Sequence, residues 1–170
     1  MGNCNMRDLE LVSGTQLIRK EFWIDNPNAD GAALLPYIMR RPDPGSRLRI
    51  TINDLQTVVF EEPRERDYWT DRWTNIPIPV DVLQPGLNTF VFQADGEETW
   101  GFLIEQGCLP NRSAKSRDAG RNWDDECLGE NHACDGEYMI RLRIDQYASD
   151  GVMESRIVDV GSLASEDGIA

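Results

Sequence analysis

Basic charge is what this chain has least of. Its 17 Lys and Arg stand against 30 Asp and Glu, a formal net charge of −13 over 170 residues. Nucleic acids and anionic membranes need a basic face, so neither is expected as a partner. The acidic balance fits a solvated extracellular surface or a chain that binds divalent cations. Histidine is nearly absent: His132 is the single one. Cysteine is sparse, with Cys4, Cys108, Cys127 and Cys134 and no C-x-x-C pair, so a zinc centre is not expected. Cys127 and Cys134 bracket "LGENHA" and could close a small loop by a disulfide. No apolar run is long enough to span a bilayer. The opening "MGNCNMRDLE" has no apolar signal core. Residue 6 is Met where a myristoylation signal has Ser or Thr. The G-x-S-x-G, H-E-x-x-H and phosphate-loop patterns are missing. No carboxylate pair is marked by its surroundings as a glycosidase pair.

A sustained helical period is missing too. Short strands stand in its place: "TQLIRKEFWI", "ALLPYIM", "SRLRITIN", "QTVVFEE", "NTFVFQA", "TWGFLIE" and "EYMIRLRID", each bounded by Pro, Gly, Asp or Asn. "RLRITIN" alternates strictly, with Leu48, Ile50 and Ile52 on one face and Arg47, Arg49 and Thr51 on the other. Asn53 and Asp54 then predict a tight hairpin. Pro77 and Pro79 lack a donor N–H, so "TNIPIPV" is expected at an edge. Pro85 and Gly86 predict a reversal with Gly86 at positive φ, Leu87 packing inward and Asn88 bonding back to the turn. "SRIVDVGSL" adds a possible last strand. Many short strands with regular turns predict an all-β sandwich or jelly roll. The expected layout is an N-terminal extension over 1–14, a domain over 15–145 and a C-terminal strand or linker over 146–170.

The run from "SRLRITIND" to "WTNIPIPVDVLQPGLNTFVF" resembles the galactose-binding-like jelly-roll superfamily, which includes many carbohydrate-binding modules. The carrying features are the hairpin strand ending at Asn53 and the order Ile-Pro strand, short turn, Pro-Gly, Leu-Asn, apolar strand. The resemblance covers roughly residues 15 to 145. It implies a jelly-roll sandwich and a sugar ligand. A second resemblance lies in "SRDAGRNW", which matches the Asp-box, S-x-D-x-G-x-x-W, at Ser116, Asp118, Gly120 and Trp123. Proteins carrying that box place it on a β-hairpin turn, and it is not catalytic there. A sialidase-like propeller would show several boxes, and here there is one. The residue types suit a self-bracing turn: Asp118 accepts turn amides, Gly120 takes a backbone shape closed to other residues, and Trp123 folds back. A ligand-facing role for the box is the alternative.

Simple alternation of strand direction sorts the loops onto two ends. Loops 41–46, 62–73 and 95–98 share one end, and 25–33, 80–87 and 106–136 the other. At the first end Arg66, Tyr68 and Trp69, with Trp100 just inside the next strand, offer the aromatic platform and planar donors that a sugar site needs. The competing reading makes Trp73 and Trp100 core residues. At the second end Asn26, Asn28 and Asp30 echo the first half of an oxygen-ligand calcium loop. Glu137 or Asp135 would complete it, as jelly-roll modules often hold structural calcium near this loop. The plain alternative is an Asn/Asp turn.

The reading is therefore a noncatalytic carbohydrate-binding module of a larger secreted, polysaccharide-acting protein. Its partners would be a poly- or oligosaccharide and neighbouring domains, and structural calcium its one possible cofactor. The alternatives are a structural or protein-interaction β-sandwich and a small carbohydrate-active enzyme.

Overall fold

The computed structural model describes residues 8–65, 73–105, 111–131 and 134–146. Twelve strands cover them: β1 Leu9–Val12, β2 Leu17–Ile24, β3 Gly31–Pro36, β4 Ile38–Arg40, β5 Arg47–Ile52, β6 Gln56–Glu61, β7 Ile76–Ile78, β8 Gly86–Asp95, β9 Trp100–Glu105, β10 Ser113–Ser116, β11 Glu137–Tyr138 and β12 Ile140–Asp145. No helix occurs among the described residues. All the strand pairs are antiparallel, and the chain forms a β-sandwich.

One sheet has five strands in the order β10-β2-β8-β5-β6. Opposite it, β9 pairs with β1, β4 and β11, and a three-stranded sheet runs β12-β3-β7. These two sheets meet at Tyr37 and Met139. Tyr37 N–H donates to Met139 O, while Leu103 exchanges bonds with Tyr37 O and Met139 N–H. β7, with Pro77 at its centre, sits at the sheet edge, where the missing donor leaves no ladder bond unmade.

The core follows from alternation. Leu48, Ile50 and Ile52 of β5 and Phe90, Phe92 and Ala94 of β8 turn inward and are buried. They meet Ile38, Trp100 and Phe102 from the facing layer. Phe92 and Phe102 pack edge to face with centroids 5.4 Å apart. Burying each such side chain contributes about 1.5–3 kcal/mol.

A second part of the interior is charged. Lys20 and Glu137 form a buried ion pair, and Ser113 Oγ hydrogen-bonds to both. On the same inner face of β10, Lys115 Nζ lies 3.8 Å from Glu10 Oε2. Gly129 N–H donates to that oxygen at 2.6 Å and Tyr138 Oη–H at 3.5 Å. Burial pushes the Glu10 carboxyl above its usual range, against the pull of Lys115. Burial also pushes the Lys115 amine down, against the pull of Glu10. Desolvation outweighs attraction for both partners.

Two asparagines tie the loops at one end. Asn53 and Asp54 take φ of 51° and 57°, the left-handed shape that a tight hairpin needs. Asn53 Nδ2 donates to Val82 O and Asn88 Oδ1, and its Oδ1 accepts from Thr89 N–H. Asn88, wholly buried, returns its amide to Gln84 O and Gly86 O. Gly86 has φ 91°, as the Pro-Gly turn requires.

Several expectations change. Residues 9–12, within the stretch read as an extension, are strand β1 paired with β9. Leu87 points outward and is exposed, opposite Trp23. Cys127 is free and exposed, while Cys134 is disulfide-bonded to a partner outside the described residues. The expected Cys127–Cys134 loop is therefore not closed. Leu128 and Cys134 instead pair by backbone hydrogen bonds.

Candidate functional site

Of the residues proposed for sugar contact, Arg66, Tyr68 and Trp69 lie outside the described residues. Trp100 is corrected: it is 0% exposed, edge to face with Phe60, and offers no face to a ligand. Inward alternation on β9 put it in the core. Trp73 packs edge-on against Tyr37 and carries the Arg141 guanidinium 4.7 Å from its ring centroid.

The oxygen-rich loop also assembles differently. Asn26, Asn28 and Asp30 do share one loop, and Asn26 Oδ1 accepts from Asn28 N–H in a local turn. Gln146 Nε2 donates to the carbonyls of both Asn26 and Asn28, so an amide already holds these oxygens. Glu137 does not join them. It stands across from Glu105 on β9, with its carboxylate on Lys20, Ser113 and Arg112 N–H. Among the described residues no group of three or more His, Cys, Asp or Glu is placed to hold a metal ion.

The Ser116–Trp123 stretch is the best-built feature of the surface. Lys115 and Asp124 exchange backbone bonds at 2.9 Å, closing a hairpin around it. Ser116 Oγ donates to Asp118 Oδ1 and accepts from Gly120 N–H, both at 2.8 Å. Asp118 also accepts from the backbone and side-chain amides of Asn122. Those Asn122 bonds come first, and with Ser116 they hold the Asp118 carboxyl down at about 2. Gly120 has φ 87°, and a Cβ there would come within 3.8 Å of Trp123. The indole folds back over the turn, and the Arg19 guanidinium lies 4.8 Å from its ring centroid, within cation–π range.

The loop sorting is corrected here. This turn packs beside Thr15 and Leu17, with Ala119 N–H donating to Thr15 O. It thus stands at the end where Ser13 and Gly14 meet Ala94 and Gly96, not with loops 25–33 and 80–87.

From Trp123 a groove of about 350 Å³ runs over the outer face of the five-stranded sheet. Three of its lining residues, Arg19, Val91 and Thr51, stand in one transverse row set by register, which Ala114 and Thr57 continue on the flanking strands. Thr51 and Thr57 hydroxyls hydrogen-bond at 3.1 Å. Arg19 is oriented by Glu21 at 3.3 Å. Thr89, Gln93 and Asp54 complete the polar lining, and Leu17 and Val91 add apolar patches. Clefts of about 370 and 320 Å³ open elsewhere, so size does not single out this one. Its chemistry does: a braced indole stands beside a guanidinium, hydroxyls, an amide and a carboxylate, on rigid strands.

Reasoning from sequence looked for the site in loops and missed the sheet face. The signal was present in the outward half of the alternation, where Arg19, Thr51, Thr89 and Gln93 recur. Outward polar residues on a strand read first as solvated surface, and only register shows that they converge. Compared with protein-family models, with curated proteins and with solved structures, the chain matches none.

Proposed function

We propose that this β-sandwich is a galactose-binding-like jelly roll that serves as a noncatalytic carbohydrate-binding module of a secreted, polysaccharide-acting protein. The single observation that carries the reading is the groove beside Trp123. A sugar ring has an apolar face and a rim of hydroxyls, so its receptor needs an aromatic edge with donors and acceptors around it. Trp123, Arg19, Thr51, Thr89 and Asp54 supply these in one groove. The Ser116–Asp118–Gly120 brace sets the indole before ligand arrives, which lowers the ordering cost of binding.

The test is a glycan array on the whole chain, followed by titration of the best glycan. Trp123→Ala is expected to weaken that binding at least tenfold, about 1.4 kcal/mol. Its melting temperature should shift little, because the indole is only half-buried. Silence across the array, or unchanged affinity in the variant, overturns the reading.

A further inference from the structure

β2 carries a second tryptophan on the face that holds the Trp123 groove. Ile18 and Lys20 turn inward and are buried, so Arg19, Glu21 and Trp23 point out in turn. Their partners on β8 are Val91, Thr89 and Leu87. The groove takes in Arg19, Val91 and Thr89. One outward step beyond Thr89 stands the pair Trp23 and Leu87. Trp23 is 64% exposed and Leu87 39%. An indole with that much of its surface in water is not part of the core. It is oriented all the same. Its Nε1–H donates to Asp25 Oδ1 at 2.9 Å. The ring also reaches over β8, where a Cβ on Gly86 would lie 3.9 Å from Cη2. An oriented, water-facing ring beside an apolar neighbour has the make-up of a binding platform.

Resting on the reading of the Trp123 groove as a sugar site, we propose that Trp23 is a second stacking platform. The ligand is then an extended stretch of an uncharged polysaccharide, lying along β2 from Trp123 to Trp23. Its length follows from the strand. The Arg19 guanidinium lies 4.8 Å from the Trp123 ring centroid. Trp23 stands four residues further along β2, about 13 Å at the rise of a strand. A single sugar ring meets one indole, and only a chain of several reaches both. Its middle units lie over Glu21 and Thr89, which offer a carboxylate acceptor and a hydroxyl. The charge class follows from the pairing. Arg19 is met by Glu21 at 3.3 Å, and the chain as a whole carries −13. A polyanionic glycan meets a guanidinium already engaged and a repulsive field around it. The hydroxyls of an uncharged glycan need only donors and acceptors.

Titration calorimetry on the whole chain tests this. The probes are cello-, xylo-, manno- and galacto-oligosaccharides, each from disaccharide to hexasaccharide, with oligogalacturonates of matched length as the charged set. In the parent, one uncharged series is expected to tighten at least about tenfold from disaccharide to hexasaccharide. Trp23→Ala should abolish that gain while leaving disaccharide affinity and melting temperature as they were. Trp23→Phe keeps a ring and should keep most of the gain. Trp123→Ala should weaken both lengths. Equal affinity for short and long probes overturns the proposal, and so does hexasaccharide binding that Trp23→Ala leaves unchanged. In either case, weakening by Trp123→Ala still upholds the groove. A Trp23→Ala variant that melts well below the parent assigns the ring to packing and overturns the platform. Oligogalacturonates bound as tightly as the uncharged probes overturn the ligand class. Silence of every probe, or binding that Trp123→Ala leaves untouched, overturns the proposal together with the reading it rests on.

Discussion

The interior of this molecule has two unlike halves. Where β5 and β8 face β9, apolar side chains such as Ile50, Phe92 and Phe102 interlock. Under β10, the inward positions are Ser113 and Lys115, and they meet Lys20, Glu137, Glu10 and Tyr138. Both halves are buried, and both come from strands that alternate. The difference is in what holds them. The first half is stabilised by apolar area and close packing. The second tolerates its charges because each carboxylate has hydrogen-bond donors around it, a requirement of geometry rather than of area.

The largest break is expected in the apolar half. Phe92→Ala removes a ring packed on Phe102 and should cost about 3–5 kcal/mol, read from denaturant unfolding. A slope m that also changes would show that the two sheets have come apart rather than lost one contact. Next comes Lys115→Met, which leaves the Glu10 carboxylate without its nearby cation and should cost about 3 kcal/mol. Adding Glu10→Gln removes the orphaned charge and keeps an acceptor for Gly129 N–H, so the double variant should return to within about 1 kcal/mol of the parent. A double variant no better than the single one would mean that the pair is held for more than charge balance.

The smallest effects are in pH, and they carry opposite signs. Burial raises the Glu10 carboxyl above its ordinary 4.5. Its contribution to stability is complete below that value and is lost as pH rises through the raised one. Asp118 is held down at about 2 from an ordinary 3.8. Its contribution is present above 3.8 and is lost as pH falls toward 2. Stability curves of Glu10→Gln should be flatter than the parent's above pH 4.5, and those of Asp118→Asn flatter between pH 3.8 and 2. Identical slopes in parent and variants would refute both assignments.

The sequence was most legible where one residue type serves one local need. The alternation of Leu48, Ile50 and Ile52 names a buried face. Gly86, Asn53 and Asp54 take the positive φ that their turns demand. Pro77 belongs at an edge because of the donor it lacks. What stayed hidden depends on partners far away in the chain. Lys20 and Glu137 look like surface charges until register brings them together 117 residues apart. Trp100 stands next to acidic residues in sequence yet turns inward, since a strand reverses its face at every residue. The groove beside Trp123 needs β2, β5 and β8 in register and the 116–123 turn packed beside them before its lining exists, and no single segment announces it.

The donors around Glu10 also set the order of events in folding. Its oxygen is bonded by Gly129, 119 residues away, and by Tyr138, 128 away. During synthesis β1 is among the first strands to emerge and β11 among the last. Until both are present, the carboxylate that β1 must bury lacks the two donors that hydrogen-bond it in the folded chain. Closure of that long loop has to come before burial, and chains built on such distant pairings fold in milliseconds to seconds rather than microseconds. The polar corner under β10 is therefore expected to lock late, as a latch drawn shut by nearly the whole length of the chain.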